Sequence, residues 1–127
     1  MKKSLAKLLL IFTLSISSAI GFVNEAAFVD GGIHKTSGYA KIVQESDGTT
    51  VLKIRDFTTD TGPDVRVYLS KGVWPQEIVD LGSILAFSGD QEYIVPAGVN
   101  LNELNHVVIW CKQFDALFGY AKIEIKK

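Results

Sequence analysis

The sequence predicts an all-β domain, an antiparallel β-sandwich or flattened barrel of about seven to nine short strands. Three observations support this prediction. From about Phe28 onward, apolar and polar residues alternate in short runs, turn residues break these runs, and no segment has the periodicity of a long amphipathic helix. Residues 22–127 are therefore predicted to form a single small domain.

Residues 1–21 are predicted to be a secretory signal peptide that precedes the domain. A basic head containing Lys2, Lys3 and Lys7 is followed by the apolar run Leu8–Ile16 and by small residues up to Gly21. The run is short and contains hydroxyl residues, which disfavours an uncleaved membrane anchor. We therefore expect an exported protein, periplasmic or extracellular, with no stable membrane span after the signal is cleaved.

A hairpin is predicted at the start of the domain. Gly38–Glu45 and Thr50–Phe57 both alternate, and the connecting segment Ser46–Thr49 contains an Asp-Gly pair suited to a tight turn. Because successive side chains of a strand point to opposite faces, Leu52 and Ile54 are predicted to share the buried face.

The later elements are predicted from the same alternation and from turn residues. The predicted strands are Val65–Ser70, a short strand around Ile84–Leu85, Gln91–Pro96, Val107–Cys111 and Gly119–Lys126. The predicted loops are Thr58–Asp64, Lys71–Glu77 and Ala97–Asn105, the last with one helical turn at Leu101–Leu104. These elements are consistent with strands that bury one face each.

Charge and motif content exclude several classes of function. The chain has 13 basic and 14 acidic residues and a net charge of −1, whereas nucleic-acid binding needs a concentrated basic surface. The sequence contains no Ser–His–acid pattern, no phosphate-binding glycine loop and no evident pair of acid and base carboxylates. No hydrolase or transferase motif is therefore present, and at most a redox or electron-transfer protein is expected.

Cys111 is the only cysteine in the chain, and it ends the predicted strand Val107–Cys111. An unpaired cysteine in an oxidising compartment is buried and inert, paired between molecules, or a functional thiol or ligand. Trp110 precedes it and is predicted to point to the opposite face of the strand. Cys111 is the candidate redox thiol on this pattern.

The two histidines are candidate ligands together with Cys111. His34, His106 and Cys111 are the ligand types of a blue-copper site, but the spacing of His106 and Cys111 places them on opposite faces of a regular strand. Asp60 and Asp64 lie in one predicted loop, but two carboxylates alone are weak evidence for a cation-binding site. No metal site is therefore predicted. The absence of C-x-x-C-H excludes covalent c-type haem. Non-covalent haem with His34 or Cys111 as axial ligand stays open.

A series of short motifs runs through residues 22–127 in a defined order. They are His34-x-x-x-Gly38, Asp56-Phe57, Gly62-Pro63-Asp64, Val67-Tyr68-Leu69-Ser70, Leu81-Gly82, Tyr93-Ile94-Val95-Pro96 and Val108-Ile109-Trp110-Cys111-x-x-Phe114-x-x-x-Phe118-Gly119. In this order they resemble the DM-thirteen domain family of Skeletor-type extracellular proteins, which is named for an inferred electron-transfer role.

The resemblance implies a small extracellular or periplasmic β domain whose characteristic cysteine corresponds to Cys111. It also implies that this cysteine acts in redox chemistry, as a bare thiol or by holding a prosthetic group such as haem. The leading prediction is an exported domain that transfers electrons through Cys111 to an unidentified redox or protein partner. The alternative is a non-catalytic extracellular binding or matrix-interaction module with Cys111 buried in its core.

Overall fold

The computed structural model describes residues 25–124. The predicted signal peptide and the last residues of the final predicted strand lie outside this range. The described residues form nine strands and no helix, arranged as two open antiparallel sheets. The predicted all-β sandwich is therefore confirmed, and the flattened barrel is not the form it takes.

The strands are distributed between a four-stranded and a five-stranded sheet. In chain order they are β1 Ala26–Ala27, β2 Val29–Asp30, β3 Thr36–Gln44, β4 Thr50–Thr59, β5 Val65–Ser70, β6 Val79–Ser83, β7 Gln91–Val95, β8 His106–Cys111 and β9 Ala116–Lys122. The four-stranded sheet has the order β1-β3-β4-β7, and the five-stranded sheet has the order β2-β9-β8-β5-β6. Strand β8, which carries Cys111, is thus the central strand of its sheet.

The predicted hairpin is formed by β3 and β4. The amide of Glu45 donates to the carbonyl oxygen of Thr49 at 2.8 Å, and Gly48 has a φ of 93°, as the Asp-Gly signal predicts. Leu52 and Ile54 are both buried, as predicted. Local turn chemistry and alternation were sufficient to predict this hairpin.

Two later elements differ from the sequence prediction. The strand expected around Ile84–Leu85 is wrong, because the strand is β6, Val79–Ser83. Asp80 and Gly82 break the apolar alternation there, yet β6 is an edge strand that pairs only with β5 and so tolerates polar residues. The final strand begins at Ala116 rather than Gly119.

The segment predicted to contain one helical turn forms that turn and no helix. The amide of Leu104 donates to the carbonyl oxygen of Asn100 at 2.9 Å, closing a single turn before β8. The prediction is confirmed only to that extent. The segment returns the chain from the four-stranded sheet to the centre of the five-stranded one.

The main core lies between the inner faces of the two sheets. Strand β5 contributes Val65, Val67 and Leu69 to it, and β8 contributes Val107, Ile109 and Cys111; all six are buried. Alternate side chains of each of these two strands therefore point into the core. Among residues 25–124 there is no helix with the length and apolar character needed to cross a membrane.

A second apolar cluster covers the outer face of the five-stranded sheet. Tyr68, Val108 and Leu117 are buried there, and three partly buried side chains pack over them: Val73, Trp110 and Tyr120. Val73 comes from the loop between β5 and β6, which therefore folds back over the sheet. This sheet consequently buries apolar side chains on both faces.

One edge of the sandwich is formed by a segment that changes sheets. Strand β1 pairs with β3 of the four-stranded sheet, and strand β2 pairs with β9 of the five-stranded sheet. Phe28 lies between the two strands, is buried, and packs edge-on against Phe57. The segment therefore joins the two sheets along this edge.

Candidate functional site

Cys111 is the last residue of the central strand β8, and its side chain lies in the main core. Its register partners are Val65 on β5 and Ala116 on β9. The residue is 0% exposed, and its thiol is free. The sulfur is therefore enclosed by apolar packing between the two sheets.

The end of β8 is closed by a turn that is bonded to a neighbouring loop. The amide of Lys112 donates to the carbonyl oxygen of Asp64 at 2.8 Å, which ties the turn after Cys111 to the loop before β5. Asp115, the last residue of this turn, has a φ of 52°, an uncommon backbone conformation for a non-glycine residue. The chain thus forms a compact turn directly after Cys111.

Phe118 lies between His34 and the core. The ring of Phe118 is buried, and the ring of His34 stacks on it with centroids 4.0 Å apart and an interplanar angle of 19°. On the solvent side, His34 Nδ1 lies 3.2 Å from Asp60 Oδ2. His34 is therefore held at the surface by a carboxylate and an aromatic ring.

His106 begins β8 on the outer face of the five-stranded sheet. Its register partners are Ser70 and Lys122, and its ring lies 6.5 Å from that of Tyr120. Its Nδ1 atom is buried without a hydrogen-bond partner in the described part of the chain. Burial, and then the positive charge of Lys122, lowers the pKa of His106 below its ordinary value.

The residues considered as ligands are not brought together. His106 and Cys111 lie on opposite faces of β8, as the spacing predicts, and Phe118 stands between His34 and the core. Asp60 pairs with His34, whereas Asp64 pairs with Arg66. Within residues 25–124, no three or more His, Cys, Asp or Glu side chains are grouped so that they could hold a metal ion.

The surroundings of Cys111 do not fit a haem group. The thiol is fully enclosed in the packed core, so a macrocycle could reach it only if the two sheets separated. A surface groove of about 380 Å³ lies at the edge formed by β1, β2 and β9. It is lined by residues such as Glu25, Val29 and Tyr120, and neither Cys111 nor His34 contributes to it.

Two tryptophans meet on the outer face of the five-stranded sheet. Trp74, in the loop between β5 and β6, is 61% exposed, and its ring meets that of Trp110 edge-on with centroids 5.9 Å apart. The sequence predicts a loop over Lys71–Glu77 and a strand that contains Trp110, but it does not predict this contact. The pairing depends on how the loop folds over the sheet, which alternation does not encode.

A pH dependence of stability is expected from His106. Because its pKa is lowered in the folded state, the unfolded chain takes up the proton first as the pH falls below about 6.5. The stability present above that pH is therefore lost progressively on acidification. A His106→Gln variant should show a flatter dependence of unfolding free energy between about pH 5 and 7 by urea denaturation. Equal slopes for the two proteins would contradict this assignment.

The fold and its central thiol define a class, an open antiparallel β-sandwich with one enclosed cysteine on a middle strand. A family model described as Electron transfer DM13 matches residues 27–123, from the second residue of β1 to just beyond β9. The chain therefore belongs to the DM13 electron-transfer domain family, which confirms the resemblance seen in the motifs. Neither the comparison with curated proteins nor that with solved structures gave a match.

Proposed function

We propose that this chain is an exported electron-transfer domain in which Cys111 is the redox-active thiol. The observation that carries the proposal is the family match over residues 27–123, which contains the chain's single cysteine. The position of Cys111 on the central strand of a rigid sheet supports it, because a redox group held on regular structure changes little in geometry. The partner is an external electron acceptor or donor.

The burial of Cys111 selects the kind of redox chemistry that the folded protein can perform. Thiol–disulfide exchange requires a thiolate to attack a sulfur atom directly, and the enclosed Cys111 sulfur offers no such approach. Transfer of a single electron needs proximity but no contact with the sulfur. In that step the thiol loses one electron to the acceptor, its proton reaches water when the core around the sulfur opens locally, and a thiyl radical remains.

A second candidate function is a non-catalytic binding or matrix-interaction module. It is favoured by the complete burial of Cys111, since a free cysteine in an apolar core usually behaves as a small hydrophobic residue. On this hypothesis the thiol contributes packing alone. The two candidates differ in whether the thiol of the folded protein exchanges electrons.

The two candidates are separated by treating the folded protein with two reagents. An alkylating reagent must touch the sulfur, whereas hexachloroiridate(IV) accepts an electron without touching it. If Cys111 is redox active, the thiol should resist alkylation yet be lost on incubation with the oxidant, as counted by labelling after denaturation. Cys111→Ala is the control for oxidant consumed elsewhere, since Cys111→Ser would bury a hydroxyl among apolar groups.

The result that would contradict a redox role is also specific. A thiol that survives the oxidant in the folded protein, and is consumed only under denaturing conditions, would favour the binding module. Circular dichroism recorded after oxidant treatment shows whether the fold persisted during the reaction. Loss of the thiol together with loss of the fold would likewise count against the proposal.

Export is proposed from the leader-like pattern of residues 1–21. The mature protein recovered from outside the cytoplasm should begin after Ala19 or after Gly21, where small residues precede the bond. N-terminal sequencing of that material checks the expectation. An N-terminus at Met1 in the exported protein would contradict cleavage.

A further inference from the structure

We propose that Trp74 and Trp110 form the electron path between the protein surface and Cys111. The proposal rests on the proposed function in one respect, namely that Cys111 is the end of the path. Its physical basis is the contrast between a fully enclosed thiol and an exposed indole that are linked by a single intervening side chain. The path would cross the five-stranded sheet from its outer to its inner face.

The inner half of the path is fixed by the strand. Trp110 and Cys111 are consecutive residues of β8, so the backbone connects them directly while their side chains point to opposite faces. Trp110 is partly buried and lies between Arg66 on β5 and Leu117 on β9. The indole is therefore the side chain of the outer face that is closest to Cys111 along the chain.

The outer half of the path is fixed by the loop between β5 and β6. Trp74 meets Trp110 at 5.9 Å between centroids, in the edge-to-face arrangement that aromatic pairs prefer. The buried hydroxyl of Ser70 accepts hydrogen bonds from the amides of Gly72 and Gln76, at 3.3 and 3.2 Å. The loop is thus anchored on both sides of Trp74, and the exposed indole is held in place.

Competing routes through neighbouring aromatic residues are less suitable. The stack of His34 on Phe118 lies close to the end of the core, but a phenyl ring is very hard to oxidise. Tyr68 lies on the outer face, and oxidation of a tyrosine is coupled to loss of its phenolic proton. An indole can give up an electron first and its proton later.

The electrons and protons balance over the path. A one-electron oxidant takes an electron from the Trp74 indole and leaves a radical cation. This radical cation is reduced by an electron from Trp110. Trp110 is in turn reduced by an electron from Cys111, whose thiol proton reaches water when the core around the sulfur opens locally. The net change is a reduced oxidant, a thiyl radical at Cys111 and one released proton. Both indoles end unchanged.

The test uses photogenerated tris(bipyridine)ruthenium(III) as the oxidant and the folded protein as the donor. Transient absorption reports the indole radical, and labelling after denaturation counts the thiol that remains. The variants are Trp74→Phe and Trp110→Phe. Tyr39→Phe is the matched control, because Tyr39 is a partly exposed aromatic residue on the other sheet. Trp74→Phe changes an exposed side chain, so it tests the path even if Trp110→Phe folds poorly.

We expect both tryptophan variants to lose the thiol at least tenfold more slowly than the wild type and Tyr39→Phe. Equal rates of thiol loss in all four proteins would overturn the path. An indole radical that forms in the wild type but not in Trp74→Phe, with the thiol intact throughout, would support the surface contact at Trp74. The same result would exclude Cys111 as the end of the path and so refute the proposed function separately.

Discussion

Replacing Phe118 with alanine is expected to lower the free energy of unfolding by about 3–5 kcal/mol and to make Cys111 reactive in the folded protein. The ring of Phe118 is buried, and it lies close to Val65. A Cβ placed on Gly62 would be 3.1 Å from the ring and 3.0 Å from Val65 Cγ2, so both border the same small space. Val65 is the register partner of Cys111. Removing the ring therefore leaves a cavity that reaches the packing around the thiol, and it also removes the surface on which His34 stacks.

Urea denaturation measures the change in stability, and alkylation of the folded protein measures the change in access to the thiol. Leu52→Ala is the control, since Leu52 is equally buried but lies on the four-stranded sheet. Its loss of stability should be about 2–5 kcal/mol, with alkylation no faster than global unfolding permits. Alkylation of Phe118→Ala that also tracks global unfolding would show that the cavity does not reach Cys111.

A Gly119→Ala substitution is expected to destabilise the protein by about 2–4 kcal/mol. A Cβ at this position would lie 2.4 Å from the Cβ of Thr36, so the two sheets would have to move apart. Thr36 has little freedom to move. Its hydroxyl lies 2.7 Å from the hydroxyl of Thr59 and 2.7 Å from the carbonyl oxygen of Phe118, and all three groups are buried.

Gly72→Ala is the matched control for Gly119→Ala. The nearest atoms to a Cβ on Gly72 are 4.0 Å away, so the methyl group meets no obstacle. Its stability should stay within about 0.5 kcal/mol of the wild type in thermal or urea denaturation. Equal effects of the two substitutions would mean that contact between the sheets at Gly119 is not what the glycine provides.

Much of the fold was predictable because alternation and turn chemistry are local properties. The β3–β4 hairpin and strand β5 were predicted correctly for this reason. Strand β6 was misplaced because an edge strand need not bury a regular apolar face. Asp80 and Gly82 interrupt the apolar alternation from which a strand is predicted. The order of strands within each sheet could not be predicted, since it depends on pairing between distant segments.

The candidate site was predictable only in part. The single cysteine identified Cys111, and strand geometry correctly separated it from His106. Its complete burial was not predictable, because a cysteine at the end of a strand can either pack inward or face solvent. The close contact at Gly119 and the meeting of Trp74 with Trp110 both join segments far apart in sequence. Such contacts are fixed by tertiary packing rather than by any local pattern.

The change of sheets at Phe28 has a consequence for how copies of this protein behave toward one another. Strands β1 and β2 occupy the edges beside β3 and β9, and each is only two residues long. Very short edge strands give a neighbouring molecule little backbone to pair with. A chain that began after Asp30 would present the nine residues of β3 and the seven of β9 as open edges. Two of the shortest strands thus cover part of each edge, at Tyr39–Ala40 of β3 and at Gly119–Tyr120 of β9.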